Sequence, residues 1–532
     1  MRPHDDERFD VLIVGSGLGG ACAAVPLVES GARVLMLEAG SWVPRNPGNG
    51  DPRAVAMLSR WFSRRTPYEA HTGGGHSLAG QFQCVGGQSV FYGAASFRNR
   101  EQDFSPPAEI VGTSHASWPI DYAELEPWYG EAERMLCVSG TPGGDPTDPW
   151  RSTPLAETAP ALTEAGRALH AAARGLGMRP FAPPLAIART PRNRPGCLAC
   201  GRCDGHACAT SAKGDAAAIV TSLLGRGLTL RTNAVATQLV HGGGRITAVA
   251  YHDVHRNRRC TARADVVLLS AGALATPHLL LSSGLHLGNP AGAVVGRYLT
   301  RHCNAIVIGA FPCAPGGGHV PYKELAVHDF YFGHPSRPSL QRLGTIQQTS
   351  LPDAMVEHES PAALRPVVRR LLPHLMGLLV MTEDQPVARN GVMLDRGRQD
   401  AWGRPILRIR HRFTPRDEAA RALLQREAAA ILRAAGALVT ISRPIDSFTH
   451  ALGTVRMGLD SATSPLDAHG RFRGFSNLFV SDGSALPTSA AVNPALTISA
   501  NGLRIGAHLA GRPRWIQPLV RRERREAGHV LA

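Results

Sequence analysis

The sequence predicts an α/β protein in which one nucleotide-binding domain is assembled from separated pieces of chain, with other segments inserted between them. Three observations predict it: a strand, glycine turn, helix and strand over 10–39, a second strand and helix after residue 265, and a length of 532 residues. Hydrophobic residues make up 43% and charged residues 19%, the balance of a packed chain rather than a disordered one.

The first unit reads DVLIVGSGLGGACAAVPLVESGARVLMLEA. Val11 to Val14 has the length and composition of a buried strand, and Gly15, Gly17 and Gly20 follow as G-x-G-x-x-G at the start of a helix-compatible stretch. Each glycine meets a separate physical need. Gly15 permits the turn, Gly17 lets the backbone approach a pyrophosphate, and Gly20 lets helix and strand pack closely. The helix start then offers free N–H groups to phosphates. A second apolar run, Val34 to Leu37, ends in Glu38, whose carboxylate is placed to accept a ribose hydroxyl and disfavours a 2′-phosphate.

From 40 to 115 the chain is rich in Gly, Pro and Ser, with a dense cluster from Val85 to Gly93. Adjacent glycines there fit either a bare loop or close approach of backbone to a flat ligand. Thr229 to Val240 and Ile246 to His252 read as two strands around Gly242–Gly244, and Val266 to Ser270 as a buried strand before a helix over Thr276 to Ser283. An Arg- and Ala-rich amphipathic helix is expected near Glu418 to Ala435.

The net charge of +15 raises the question of a nucleic-acid or membrane partner. Lys213 and Lys323 are the only lysines, so 55 of the 57 basic residues are arginine, and they are dispersed apart from Arg521, Arg522, Arg524 and Arg525. That pattern points away from nucleic acid. No apolar run is long enough to span a bilayer, Met1 to Asp10 has no leader-like stretch, and ten cysteines are too sparse for a disulfide scaffold. A cytoplasmic protein is expected.

Several ordered motifs resemble the glucose-methanol-choline (GMC) flavoprotein oxidoreductases, which bind FAD. They are the glycine fingerprint, Gly86-Gly87 and its loop, Trp118-Pro119-Ile120, GALATPHLLLSSGL from Gly272, VGRYLTRH from Val295, HALGTVRMG from His450, NLFVSDGSALP and NPALTISANGLRIG. The resemblance implies a Rossmann-like FAD domain built from 1–100, 210–304 and 441–532. It also implies a substrate domain on an antiparallel sheet from 101–209 and 305–440. VFYGAASFR, RPFAPPLAIAR and the AKGD run are most similar to bacterial enzymes that oxidise sugar or aminoglycoside 6′-hydroxyls.

The family's chemistry removes a hydride from a carbinol carbon to flavin N5 while a base takes the hydroxyl proton. The resemblance makes His450 that base and Asn493 its partner, a neutral donor to the substrate oxygen; a helix cap before Pro494 is the structural alternative for Asn493. The cofactor contacts it implies are Gly15, Ser16, Gly17, Leu18, Gly20, Glu38, Ala39, Gly86, Gly87, Tyr92, Gly93, Asp482, Gly483, Asn493 and Pro494. Val235 joins them, with its backbone facing adenine. Phe91 stands where some relatives attach FAD through histidine, so non-covalent FAD is expected, and Tyr92 replaces a frequent asparagine. Oxygen or another acceptor would reoxidise the flavin.

Cys197, Cys200, Cys203 and Cys208 form C-x2-C-x2-C-x4-C, a spacing open to a structural segment, an iron–sulfur cluster or zinc; no metal is assigned. The leading function is FAD-dependent oxidation of a primary or secondary alcohol on a polar, sugar-like molecule. A choline- or sterol-like alcohol, or a non-redox lyase of the same family, are the alternatives.

Overall fold

The computed structural model describes residues 8–51, 54–73, 75–190, 195–315, 323–351, 356–358 and 360–511. The arginine cluster at 521–525 lies outside them. The fingerprint folds as expected: strand β1 (Arg8–Val14), helix α1 (Leu18–Glu29) and strand β2 (Val34–Leu37). Every residue of β2 is buried, as the continuous apolar run of a parallel strand requires.

These strands belong to a parallel sheet in the order Leu228–Arg231, β2, β1, Arg258–Leu269, Leu478–Val480. The 12-residue strand Arg258–Leu269 has two roles. Its second half pairs parallel with β1, and its first half pairs antiparallel with Arg245–Asp253, which pairs in turn with Ala234–Gly242. The stretch read as one strand from Thr229 to Val240 is therefore two, broken where Asn233 adopts φ +52°. The first continues the parallel sheet beside β2; the second turns into the antiparallel extension. Helix Gly272–Ser282 follows Arg258–Leu269.

Helix Ala495–Leu509 packs on α1 at very short range, since a Cβ on Gly502 would lie 2.7 Å from Gly19 O and one on Gly506 2.3 Å from Ala23 O. Residue numbers rise in the same direction along both helices, so the two run parallel with their N-termini at the same end of the molecule. From the contact of Gly502 with Gly19, helix Ala495–Leu509 extends seven residues toward its N-terminus and α1 only one, so the start of the later helix reaches further toward that end.

A second sheet is wholly antiparallel, in the order Ala326–Val327, Gly344–Thr349, Leu375–Thr382, Ala305–Ala310, Val439–Pro444. One face packs on helix Pro415–Ala434, through Val307, Ile346, Leu378 and Val380 against Leu424, Ile431 and Leu432. Strand Val439–Pro444 straddles residue 440. A further sheet pairs Phe62–Thr72 and Gly75–Phe82 with Gly391–Gln399 and Pro405–Arg410. No helix among the described residues is long and apolar enough to cross a membrane.

Candidate active site

The loop after β1 is shaped by contacts that leave no room for side chains at two glycines and leave room at a third. Gly15 has φ +102°, and a Cβ there would meet Ser270 O at 2.3 Å; one on Gly20 would meet Gly15 O at 2.3 Å. Gly17, the N-cap of α1, has nothing within 4 Å of its Cβ position and makes no side-chain cap, and the first turn carries no acid. A Cβ on Gly87 would come no closer than 3.5 Å, to Gly17 Cα. Two glycine backbones and an uncapped helix start thus border one open space, the setting that suits a pyrophosphate.

Ser16 ties this loop to the acid at the end of β2. Glu38 is buried, and its Oε2 accepts from Ser16 N (3.1 Å) and Ser16 Oγ (2.6 Å) while Oε1 accepts from Gly40 N (2.9 Å). Gly86 N donates to Ser16 Oγ at 3.0 Å. Burial raises the Glu38 carboxyl above its ordinary pKa, against the pull of these hydrogen bonds. A carboxylate has about four acceptor positions, and Ser16 N, Ser16 Oγ, Gly40 N and Ala39 N draw on all four, so a ribose hydroxyl would have to share or displace one of these donors. Asn233 N and Ala234 N bond to Gly40 O and Glu38 O, which brings the neighbouring Val235 beside this acid.

Asp482 is arranged differently. Its Oδ2 accepts from Gly272 N (2.8 Å) and Thr276 Oγ1 (2.5 Å), and its Oδ1 accepts from Ser484 N (2.8 Å) and Ser484 Oγ (2.5 Å). All its acceptor positions are used, so the side chain staples the Gly483 turn to the start of helix Gly272–Ser282. A cofactor contact at 482–483 would fall to the backbone.

The far end of the site holds two histidines. Nδ1 of His450 lies 3.1 Å from Nδ1 of His302, so one proton must sit between them. His302 Nε2 faces only carbonyls, Ser489 O at 3.0 Å and Ala490 O at 3.2 Å, and must carry a proton to donate. In the neutral pair His302 Nδ1 is then the acceptor and His450 Nδ1 the donor. His450 Nε2 is left with a free lone pair. Burial lowers the His450 pKa to about 3, with further contributions from His302 and Lys323, and burial also lowers that of His302.

The backbone around this pair is held in an uncommon conformation. Tyr298, His302 and Ala490 all have φ near +60°, at 61°, 59° and 52°, each at a cost of about 1–3 kcal/mol. Asp384 supports the turn: it accepts from Arg301 N, His302 N and Ser489 Oγ at 2.9–3.0 Å. Burial alone would raise the Asp384 carboxyl, but His411, His302 and the Arg301 amide hold it below its ordinary value. Gln88 Nε2 donates to Thr449 O at 2.6 Å, which joins the glycine loop to the residue before His450.

Asn493 does not cap the helix that follows it. The N-cap is Pro494, without a side-chain cap bond, and Asn493 Oδ1 instead accepts from Gln347 Nε2 at 3.0 Å. With its oxygen held, the Asn493 Nδ2 group remains as a donor. Phe91 is buried against Phe82, ring centroids 5.2 Å apart, and Tyr92 OH donates to Gly214 O. A Cβ on Gly93 would collide with Asp204 and Lys323, whose charged groups pair at 3.1 Å. Leu18 is buried in the first turn of α1, and Ala39 is partly exposed beside Glu38.

The cysteine segment is anchored by Lys213 rather than by shared thiols. The Lys213 ammonium donates to Tyr92 O, Cys203 O and His206 O at 2.8–2.9 Å. Among the described residues no group of three or more His, Cys, Asp or Glu side chains is gathered as a metal site. His302, Gln347, Asp384 and Lys323 went unassigned in the sequence; only His302 had a signal, its place in the VGRYLTRH motif.

Comparison with known proteins identifies the family. The GMC oxidoreductase family models match residues 9–304 and 386–502. The chain belongs to the GMC oxidoreductase family. It is an FAD-dependent oxidoreductase acting on hydroxyl groups. The chain is 32% identical to paromamine 6′-oxidase of Streptomyces fradiae and 31% identical to 6‴-hydroxyparomomycin C oxidase of Streptomyces lividus, over 95% of this chain and 92% of each relative. It is 30% identical to 2-methyl-1,2-propanediol dehydrogenase of Mycolicibacterium austroafricanum, over 95% of this chain and 96% of that one. Among solved structures, pyridoxine 4-oxidase from Mesorbium loti superposes with TM-score 0.62 at 22% identity, covering 94% of this chain and 98% of that one. A formate oxidase variant from Aspergillus oryzae gives TM-score 0.65 at 14% identity, covering 95% and 99%. These likenesses support the GMC fold, with its parallel FAD domain and antiparallel substrate sheet.

Proposed function

We propose that this GMC oxidoreductase oxidises a primary or secondary hydroxyl of a polar, sugar-like molecule, an aminoglycoside 6′-hydroxyl being the foremost candidate, to the aldehyde or ketone. The observation that carries the reading is the free lone pair on His450 Nε2. His450 Nε2 takes the hydroxyl proton, His302 Nδ1 accepts the Nδ1 proton of His450 and so fixes the ring, and Asn493 Nδ2 donates to the substrate oxygen. FAD, when bound, supplies the group that accepts the hydride from the carbinol carbon. Gly17, Gly87 and the start of α1 would hold its pyrophosphate, and Glu38 would take a ribose hydroxyl in place of one of its present donors. Phe91 offers no nucleophile, so the cofactor is held without a covalent bond. Oxygen or another acceptor takes the electrons onward, in the cytoplasm, and the partner is a small molecule rather than nucleic acid.

The sugar-like substrate rests on the relatives named for paromamine and 6‴-hydroxyparomomycin C. The test is anaerobic addition of aminoglycosides, sugars, cyclitols, choline and sterols to the purified flavoprotein. Bleaching of the flavin band by a polyhydroxylated member is the expected result. Turnover of a hydroxynitrile with no bleaching by any alcohol would replace this reading with a lyase.

A further inference from the structure

The antiparallel sheet has a second face, and it looks toward Asn493. Successive side chains on a strand point to opposite sides. On Gly344–Thr349, Ile346 packs with Val380 into the core beneath helix Pro415–Ala434. Thr345, Gln347 and Thr349 therefore share the opposite face. Register places Gln347 opposite Leu379, and Leu379 opposite Ile306. Leu379 and Ile306 are partly exposed, whereas Gln347 is fully buried. The face thus presents a polar strand beside two apolar neighbours.

Gln347 is half satisfied. Its Nε2 donates to Asn493 Oδ1 at 3.0 Å, while its Oε1 is buried with no partner. Both atoms hang from one amide carbon, so the unpaired acceptor lies next to the group that faces the reacting oxygen. Thr345 Oγ1, on the same face, is also buried without a partner. Buried polar atoms rarely stay unpaired, because each costs a hydrogen bond's worth of desolvation.

We propose that Gln347 is a substrate-recognition residue whose Oε1 accepts a hydrogen bond from a second hydroxyl of the substrate, near the one being oxidised, with Leu379 and Ile306 against its C–H surface. The inference rests on the alcohol-oxidising reading of His450 and Asn493. It names the selected class: polyhydroxylated molecules in place of simple alkanols. A site that keeps an acceptor for a hydroxyl rejects the analogue lacking it, because the acceptor is then left unpaired.

The test measures anaerobic flavin reduction with paired probes, paromamine against its 4′-deoxy analogue and 1,2-propanediol against 1-propanol, in the wild-type holoenzyme and in Gln347→Met. Met matches Gln in length and removes the acceptor. The wild-type enzyme is expected to favour the hydroxylated member by about tenfold or more, and Gln347→Met to bring the ratio within about twofold of unity. Loss of the Asn493 contact slows both members of a pair alike and cannot change the ratio. An unchanged ratio in the variant, or no discrimination by the wild-type enzyme, overturns the inference; the second arm holds even where the variant fails to fold. Wild-type flavin that no alcohol reduces contradicts the alcohol-oxidising reading itself, a different outcome from a flat ratio.

Discussion

His302 and His450 meet through their Nδ1 atoms at 3.1 Å, and the carbonyls of Ser489 and Ala490 decide which ring gives the proton. His302 is thereby a positioning residue for His450. Replacing it by Phe removes the acceptor and lets the His450 proton occupy either nitrogen. Flavin reduction by substrate should slow by roughly 10²-fold or more with flavin content unchanged. His302→Asn, whose side-chain oxygen can accept, should recover part of the rate, as stopped-flow measurement will read.

The low pKa of His450, about 3, has a consequence for pH dependence. The ring stays neutral and able to accept a proton across the working range, so its own titration adds no acid limb near the ordinary histidine value of about 6.5. The flavin reduction rate should vary less than about twofold between about pH 5.5 and 8. An acid limb centred near pH 6.5 in that rate would contradict the neutral pair.

Stability should respond to acid where the rate does not. His278 is buried and donates to Pro405 O at 2.7 Å, and burial lowers its pKa to about 4. Its folded-state pKa lies below the unfolded value, so the unfolded chain binds more protons between about pH 4 and 6.5. The stability due to this residue is complete above pH 6.5 and falls with acid, by up to about 1.4 kcal/mol per pH unit. His302 and His450 act in the same direction. Denaturant titrations at pH 7 and 5 will read the difference as a lower midpoint at pH 5.

The fingerprint glycines separate folding from cofactor binding. Gly17→Ala meets nothing within 4 Å, whereas Gly20→Ala meets Gly15 O at 2.3 Å. Gly17→Ala should therefore leave the melting temperature of the apoprotein unchanged and weaken FAD binding by filling the pyrophosphate space. Gly20→Ala should destabilise the apoprotein by about 1–3 kcal/mol. Calorimetry of both apoproteins, with FAD titrations, distinguishes the two.

Phe91 predicts free release of the cofactor. Acid denaturation should leave all of the flavin in the supernatant; flavin that stays with the precipitated chain would show a covalent bond through another residue.

Much of the nucleotide half was legible because its signals are local. Glycine spacing, the run Val34–Leu37 and the acid at Glu38 lie within 30 residues, and helical and strand periods follow from them directly. The strand break at Asn233 was not read, although Arg231-Thr232-Asn233 is a polar interruption, since alternation resumes on both sides of it and periodicity does not say which neighbour a strand takes. Motif resemblance alone placed His450 and Asn493. Gln347 could not be found that way: it lies at 305–385, between the two matched segments, and its role exists only where the antiparallel sheet meets helix Ala495–Leu509. The arginine excess, read as dispersed, includes Arg98 and Arg100, which are buried in ion pairs with Glu126, Glu133 and Asp145.

The central claim is that His450 Nε2 takes the substrate proton, and single-turnover flavin reduction in His450→Gln tests it most directly. The variant should bind FAD as the wild-type protein does and reduce it about 10²–10⁴-fold more slowly, with a rate that rises with pH as hydroxide replaces the missing base. Reduction at the wild-type rate by fully FAD-loaded His450→Gln would contradict it.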